Sequence, residues 1–413
     1  MIDIKNVRSN FPIFLNNKDL VYLDSAASSL KHKNSIRDVM DYYMQSGSNV
    51  GRGSYKIQLN TSEMYEESRK YISRYLNAES EKSIVFTKGA THAFNMIAYH
   101  FGNKLKKGDE VLTTKLEHHA SFLPWQRACN KAGAKLIFSP LDNDFRINID
   151  KLLDLINEKT KVVAITLVSN VLGYVTPMEK IIKKAHDVGA IVVCDAAQAA
   201  PHQKLDVKEL DCDFLAFSGH KCFGPTGVGV LYGKYEHLIE MEPIEVGGSM
   251  VDDVKEQYFT TAEPPNKFEA GTPPIAQVIG LKSAIEYLNQ VQGKKLEDHI
   301  NELRNYAVNR LLELKDIIIY NPRAEVGIIT FNLKDIHAHD VETFLASDNV
   351  CVRAGHHCAR LLMDVFKTSA TIRISLHIYN EKKDIDKLIF ALKKASNFFN
   401  TLEEVKWKIC TDK

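Results

Sequence analysis

The 413 residues are 45% hydrophobic and 25% charged, a globular composition long enough for two domains with sizeable cores. Fifty-three basic against 52 acidic residues leave a net charge of +1, which excludes the broad basic footprint used to bind nucleic acid or an anionic membrane. The longest apolar stretches, such as residues 162–168 and 191–193, suit buried strands and fall short of the ~18–20 residues of a membrane span. The opening MIDIKNVRSNFPIF carries no readable secretory signal. Seven dispersed cysteines with no C-x-x-C pair favour reduced thiols and a cytoplasmic setting.

Along the chain, residues 83–87 (SIVFT) read as a strand running through Lys88-Gly89-Ala90-Thr91 into a helix over HAFNMIAYHF. Residues 110–113 (EVLT) form the next strand, followed by Leu116-Glu117-His118-His119 and a helix beginning near Pro124. The strand 161–167 (KVVAITL) leads through Val168-Ser169-Asn170 to a helix over 177–188 and a strand over 190–194. Short runs buried on both faces, alternating with amphipathic helices, predict an α/β fold with a mostly parallel sheet covered by helices. Ligands of such sheets bind beyond the C-terminal ends of the strands. After Pro264-Pro265 and Gly271-Thr272-Pro273-Pro274 the pattern changes. Helices over 275–291 and 296–314 precede strands over 317–320 and 327–331, a helix near 340–347, a strand over 372–375 and a last helix, which reads as a smaller α+β domain.

Several polar residues stand at the predicted strand ends. In FLAFSGHKCFGPTGVGVL (residues 214–231) a strand ends in Ser218-Gly219-His220-Lys221 before a glycine-rich turn. A lysine desolvated there has a lowered pKa and an amine free for carbonyl chemistry; the alternative is a solvated loop lysine. Asp195 closes the strand IVVC, and an acid so placed needs a cation, either a protein base or the protonated pyridine nitrogen of pyridoxal 5′-phosphate (PLP); it could also be a helix cap. Gly89-Ala90-Thr91 joins a strand to a helix, a phosphate site or an ordinary N-cap turn. His118 could stack on a planar cofactor and move protons, or be a satisfied surface or core histidine. In CVRAGHHCARLLM (residues 351–363), Cys358 lies among His356, His357 and Arg360, and cationic neighbours favour the reactive thiolate. A structural cysteine is the rival reading, and a metal site is not expected, because adjacent histidines diverge. Arg353 and Arg373 are candidates for a bidentate grip on a substrate carboxylate or for structural ion pairs.

Taken together, the chain resembles the class V aminotransferase family of PLP enzymes, and within it the SufS-type (NifS-like, group II) cysteine desulfurases. The likeness runs from Tyr22-Leu23-Asp24-Ser25-Ala26-Ala27 to Ile374-Ser375-Leu376-His377, through EHHA followed by PWQ, CDAAQ, SGHK followed by GPTGVGVLYG, FEAGTP and RAGHHCA. The resemblance implies PLP fold type I, with a seven-stranded sheet and a smaller α+β domain. It places an N-terminal segment at residues 1–21 packing with the small domain, a large PLP-binding domain at 22–288, and the small domain, carrying the Cys358 loop, at 289–413. Lys221 would then be the Schiff-base lysine that moves the Cα proton. Asp195 would pair with the pyridinium nitrogen, Gln198 would contact the cofactor's phenolic oxygen, and His118 would stack on the ring. Thr91, Ala90, Ser218 and His220 would hold the phosphate, and Thr272 that of a partner subunit in a homodimer. Asn170, Arg373 and Arg353 match substrate-carboxylate contacts, and Cys358 the cysteine that accepts sulfur.

The implied reaction converts L-cysteine to L-alanine and leaves a persulfide on Cys358. A SufE- or SufU-like protein would take the sulfur toward iron–sulfur clusters or another thiolation pathway. A selenocysteine lyase or another C–S lyase on the same scaffold is the alternative, and a non-catalytic assembly protein the remote one. The chain departs from the family at Gly51-Arg52-Gly53-Ser54-Tyr55, at Ala359-Arg360-Leu361 and over residues 242–250. These departures bear on gating and on which acceptor docks.

Overall fold

The computed structural model describes residues 2–51 and 53–411, with backbone alone for 402–411; Arg52 lies outside the described residues. The chain forms two compact units, Ser29–Ser169 with Thr176–Gly293, and Met1–Ser28 with Asn170–Val175 and Lys294–Lys413. Among the described residues no helix is long and apolar enough to cross a membrane.

The larger unit is built on α1 (Lys56–Tyr75), β1 (Ile84–Thr87), α2 (Ala90–Lys104), β2 (Glu110–Thr114), α3 (His119–Ala132), β3 (Lys135–Ser139), β4 (Thr160–Thr166), α4 (Met178–Asp187), β5 (Ile191–Asp195), β6 (Phe214–Ser218), β7 (Gly229–Gly233) and α5 (Ile275–Val291). The strands form one sheet in the order β1-β7-β6-β5-β4-β2-β3. Only β7 runs against the rest, antiparallel to both β1 and β6. The seven-stranded, mostly parallel sheet expected from the sequence is therefore present. Val162 to Ile165 in β4 and all of β6 are buried, as an apolar run covered on both faces must be. Each buried Val, Leu, Ile or Phe among them contributes roughly 1.5–3 kcal/mol by leaving water.

One helix starts earlier than expected. Instead of beginning near Pro124, α3 begins at His119, because the ring Nδ1 of His118 accepts the Ala120 N–H at 3.1 Å and caps the helix. Pro124 lies inside the second turn, where it removes one backbone donor without ending the helix.

The smaller unit contains α6 (Lys294–Leu312), β8 (Ile317–Ile319), β9 (Ile328–Leu333), α7 (Ala338–Ser347), β10 (Arg353–Gly355), α8 (Arg360–Phe366), β11 (Thr371–Ser375) and α9 (Lys382–Thr411). Its sheet is antiparallel in the order β8-β9-β11-β10. The start of the chain is woven into this unit. Val21–Tyr22 pairs in parallel with Val350–Cys351, and Arg8 reaches Asp384 at 2.6 Å. Phe11 packs edge-on against Tyr379 at 4.9 Å between centroids. Residues 170–175 are fixed here as well: Asn321 Nδ2 donates to the Leu172 carbonyl at 2.8 Å, and the Thr330 hydroxyl donates to that of Val171.

Two buried carboxylates tie the larger unit together. Glu269 receives both Nη atoms of Arg69 at 2.8 and 2.9 Å, the Phe86 N–H at 2.8 Å and the Tyr65 hydroxyl at 2.8 Å, joining α1, β1 and the segment before α5. Glu117 receives the Thr114 hydroxyl at 2.8 Å, the Ser121 hydroxyl at 3.1 Å and the Thr166 N–H at 3.2 Å, joining the ends of β2 and β4 to α3. Burial pushes the Glu117 carboxyl up to about 8; its donors pull the other way, and nearby Asp195 adds to the rise. Glu269→Ala leaves the buried Arg69 charge with only the half-exposed Glu66 as counter-charge, and is expected to cost about 3–5 kcal/mol in denaturant unfolding. A loss below about 1 kcal/mol, the range of a solvated pair, would contradict this. Between its ordinary value of 4.5 and about 8, folded Glu117 holds a proton that the unfolded chain has lost. Its contribution to stability therefore falls as pH rises across that window. Relative to the parent chain, Glu117→Gln should gain stability from pH 4.5 to 8 and level off above, as unfolding at a series of pH values would read.

Candidate functional site

Strands β1, β2, β5 and β6 run in the same direction, so their C-terminal ends share one edge of the larger sheet. Most of the residues predicted from the sequence stand at or just past this edge. Asp195 ends β5 and is buried, its Oδ1 accepting the Ala197 N–H at 2.8 Å. Burial raises its carboxyl above the usual range, and the positive charge of Lys221 opposes the rise. Gln198 follows, also buried. Strand β6 ends in Ser218 and passes into a single turn, Gly219–Lys221.

That turn is held from below. Lys31 Nζ donates to the His220 and Ser29 carbonyls, both at 2.8 Å, and the Ser29 hydroxyl oxygen accepts the Phe223 N–H at 2.7 Å. Burial lowers the Lys31 amine to about 8. Burial also lowers His220 to about 4, with the charges of Lys221 and Lys31 adding to the effect. Lys221 itself is half-buried at the end of the turn.

Beside it lies an anion cradle. Gly89, at φ +144°, opens α2, and the Ala90 N–H donates to Ser218 Oγ at 2.9 Å. The hydroxyl's own hydrogen is thereby left for an acceptor other than Ala90. A Cβ at Gly229 would lie 2.5 Å from the Gly89 Cα, so bare backbone is required where β7 passes this turn. Thr91 is exposed in the first turn of α2, where a helix N-terminus favours negative charge. His118, half-buried, caps α3 as described. Thr272 stands apart, exposed, and accepts a hydrogen bond from Asn49 Nδ2 at 3.3 Å. A buried acid, a half-buried amine and a helix N-terminus with a serine hydroxyl are groups that fit PLP.

The smaller unit brings a second set together. Arg353 on β10 is directly opposite Arg373 on β11, so both side chains project from one face. Arg373 is almost fully buried. Its Nη1 donates to the Asn170 carbonyl at 2.9 Å and its Nη2 to Asp24 Oδ1 at 3.0 Å, while Nε is buried without a partner among the described residues. Burial lowers its pKa; Asp24 opposes this, and Cys358 is close enough to act in the same sense as Asp24. Two arginines on one face, with a buried donor to spare, can take a carboxylate.

Cys358 lies between β10 and α8, half-buried. It and His357 both adopt left-handed backbone, at φ +55° and +51°. Such geometry costs roughly 1–2 kcal/mol per non-glycine residue and needs support from neighbours. Three hydrogen bonds supply it. Asn170 Nδ2 donates to the His357 carbonyl at 2.8 Å, the His357 ring Nε2 meets the Thr371 carbonyl at 3.1 Å, and the Cys358 N–H donates to His356 Nδ1 at 3.2 Å. Burial holds His357 well below its ordinary pKa, so its ring is neutral and Nε2 carries the hydrogen. No group of three or more His, Cys, Asp or Glu among the described residues is arranged to hold a metal.

Three residues escaped the sequence reading. Asp24 partners an arginine 349 positions away, which no local pattern signals. Lys31 reaches the Lys221 turn through backbone carbonyls, which carry no sequence signature. Glu117 sits inside EHHA between Leu116 and His118, where the local sequence does not distinguish a buried carboxyl from an exposed one.

The class-V aminotransferase pattern matches residues 21–388. A probable cysteine desulfurase of Halalkalibacterium halodurans is 46% identical over 397 residues, covering 95% of this chain and 98% of that one. One from Staphylococcus aureus is 45% identical over 404 residues, covering 96% and 98%. Among solved structures, the cysteine desulfurase CsdA from Escherichia coli superposes with a TM-score of 0.90 at 36% identity, covering 96% and 99%. The match takes in the sheet edge with Lys221 and Asp195 and the loop with Cys358, and the chain belongs to the class-V aminotransferase family.

Proposed function

We propose that the chain is a cysteine desulfurase that takes sulfur from L-cysteine, releases L-alanine and carries the sulfur as a persulfide on Cys358. The observation that carries this reading is the company Cys358 keeps: a thiol beside Arg373, whose buried Nε has no partner among the described residues. An amino-acid carboxylate and a sulfur acceptor are thus served by one small group of residues. The relatives from Halalkalibacterium halodurans and Staphylococcus aureus support the choice of substrate.

PLP, when bound, supplies an electron sink that lets an amino acid lose its Cα proton. Lys221 would hold the cofactor through its amine and move that proton. Asp195 would keep the pyridine nitrogen protonated, and its burial strengthens the attraction. Ser218, Thr91, His220 and the Ala90 turn would hold the phosphate, Gln198 the phenolic oxygen, and His118 the ring face. Arg373, Arg353 and Asn170 orient the substrate carboxylate. The Cys358 thiolate then attacks the substrate sulfur. A sulfur–sulfur bond forms, the carbon–sulfur bond breaks with its electron pair going to carbon, and that carbon takes a proton to become the methyl group of alanine. Covalent capture splits one difficult transfer into two easier ones.

The persulfide must leave for an acceptor, and a SufE- or SufU-like protein serving iron–sulfur cluster assembly is our proposal for that role. A homodimer in which Thr272 reaches the partner's cofactor accords with its exposure here. We also propose a cytoplasmic setting, which the dispersed cysteines with no C-x-x-C pair favour.

Cys358→Ala should abolish alanine formation from L-cysteine while the visible band of the bound cofactor persists. Full alanine production by this variant would overturn the persulfide route. Lys221→Ala should lose the band of the lysine-linked cofactor on purification with PLP and lower turnover by at least about 10²-fold, the low end for a positioned acid–base group. An unchanged band would remove Lys221 from its role.

A further inference from the structure

Asn170 presents its side-chain amide where two functions meet. Its Nδ2 donates to the His357 carbonyl, one residue before Cys358, and its own carbonyl accepts Arg373 Nη1. All three residues besides Cys358 are buried, so these contacts are shielded from water. An amide nitrogen carries two hydrogens, and the His357 carbonyl takes one of them. The other is left for a further acceptor, and Arg373 Nη2 donates to Asp24.

We propose that Asn170 is a positioning residue for Cys358, a clamp that joins substrate-carboxylate recognition to the loop that accepts the sulfur. Without its donor, two consecutive left-handed residues lose the support on their backbone carbonyl and the loop opens. With a carboxylate on the second N–H, the same amide is held from both sides and Cys358 stays in place. The inference rests on reading Cys358 as the acceptor and Arg373 with Asn170 as the carboxylate contacts. It goes beyond that reading, because it assigns Asn170 an effect on Cys358 before any chemistry occurs.

The test uses the full chain loaded with PLP and treated with iodoacetamide, following alkylation of the Cys358 and Cys351 peptides by mass spectrometry. With no amino acid present, Asn170→Ala should raise the Cys358 rate about fivefold, the shift in an opening equilibrium that one lost hydrogen bond produces, with Cys351 unchanged. Adding L-alanine should slow Cys358 alkylation in the parent chain and have no such effect in the variant. Hydrogen exchange over residues 353–360 should quicken in the variant. Equal Cys358 rates in the parent and variant chains would overturn the proposal, as would a parallel rise at Cys351, which marks general loosening. Should the alanine variant fail to fold, Asn170→Ser, with a shorter donor, should give an intermediate rate, and a parental rate there would overturn the proposal. None of these readouts needs turnover. Full activity in Cys358→Ala would therefore sink the functional reading separately, and unchanged loop exchange in Asn170→Ala would sink the clamp.

Discussion

A sheet covered on both faces leaves its polar chemistry only the strand ends, and the larger unit is organised by that constraint. The apolar runs of β4, β5 and β6 fill both faces, so the charged groups collect where those strands stop. At such a place each polar group is costly unless it is answered. Asp195 is answered by the Ala197 N–H and the charge of Lys221, and Glu117 by two hydroxyls and a backbone N–H. The lysine turn is in turn fixed by Lys31 and Ser29. The proposed cofactor-binding groups are thus supported by other residues, as a preorganised site requires.

The smaller unit works on a different principle. Cys358, the proposed sulfur acceptor, lies on a loop whose backbone adopts geometry that only neighbours can maintain. Strain of this kind is kept where a residue must be aimed, and it leaves the loop responsive to its supports. The two arginines opposite one another on β10 and β11 would repel if nothing negative came near. Asp24 compensates one of them, and in the proposed reaction a substrate carboxylate would be the second.

Most strands of the larger sheet were legible in the sequence, because short apolar runs bounded by polar turns leave little choice; the edge strand β3, only partly buried, was not. The helix Ile275–Val291 was legible to the residue, set off by two prolines before it. Other features were not, for physical reasons. A histidine ring as helix cap is rare enough that the proline looked like the better start for α3. The attachment of residues 170–175 to the smaller unit depends on Asn321 and Thr330, some 150 positions away. Beside Cys358, Gly355 takes φ +122°, but His357 and Cys358 share the unusual backbone, which the residues around them do not signal. Asp24 illustrates the general limit: a long-range ion pair leaves no local trace.

The way the chain's first residues are woven into the smaller unit has a consequence for how the protein is made. Val21 pairs with Val350, and Phe11 packs on Tyr379. At roughly 5–20 residues per second, a ribosome takes on the order of half a minute to reach those partners from the start. Over that interval Phe11 and Leu23, both fully buried at the end, have no core to enter. The larger unit can settle while synthesis continues, but the N-terminal segment must wait for almost the last helix. A chain cut short before residue 350 would display that apolar segment, which makes it a ready signal for chaperones and proteases that a molecule is unfinished.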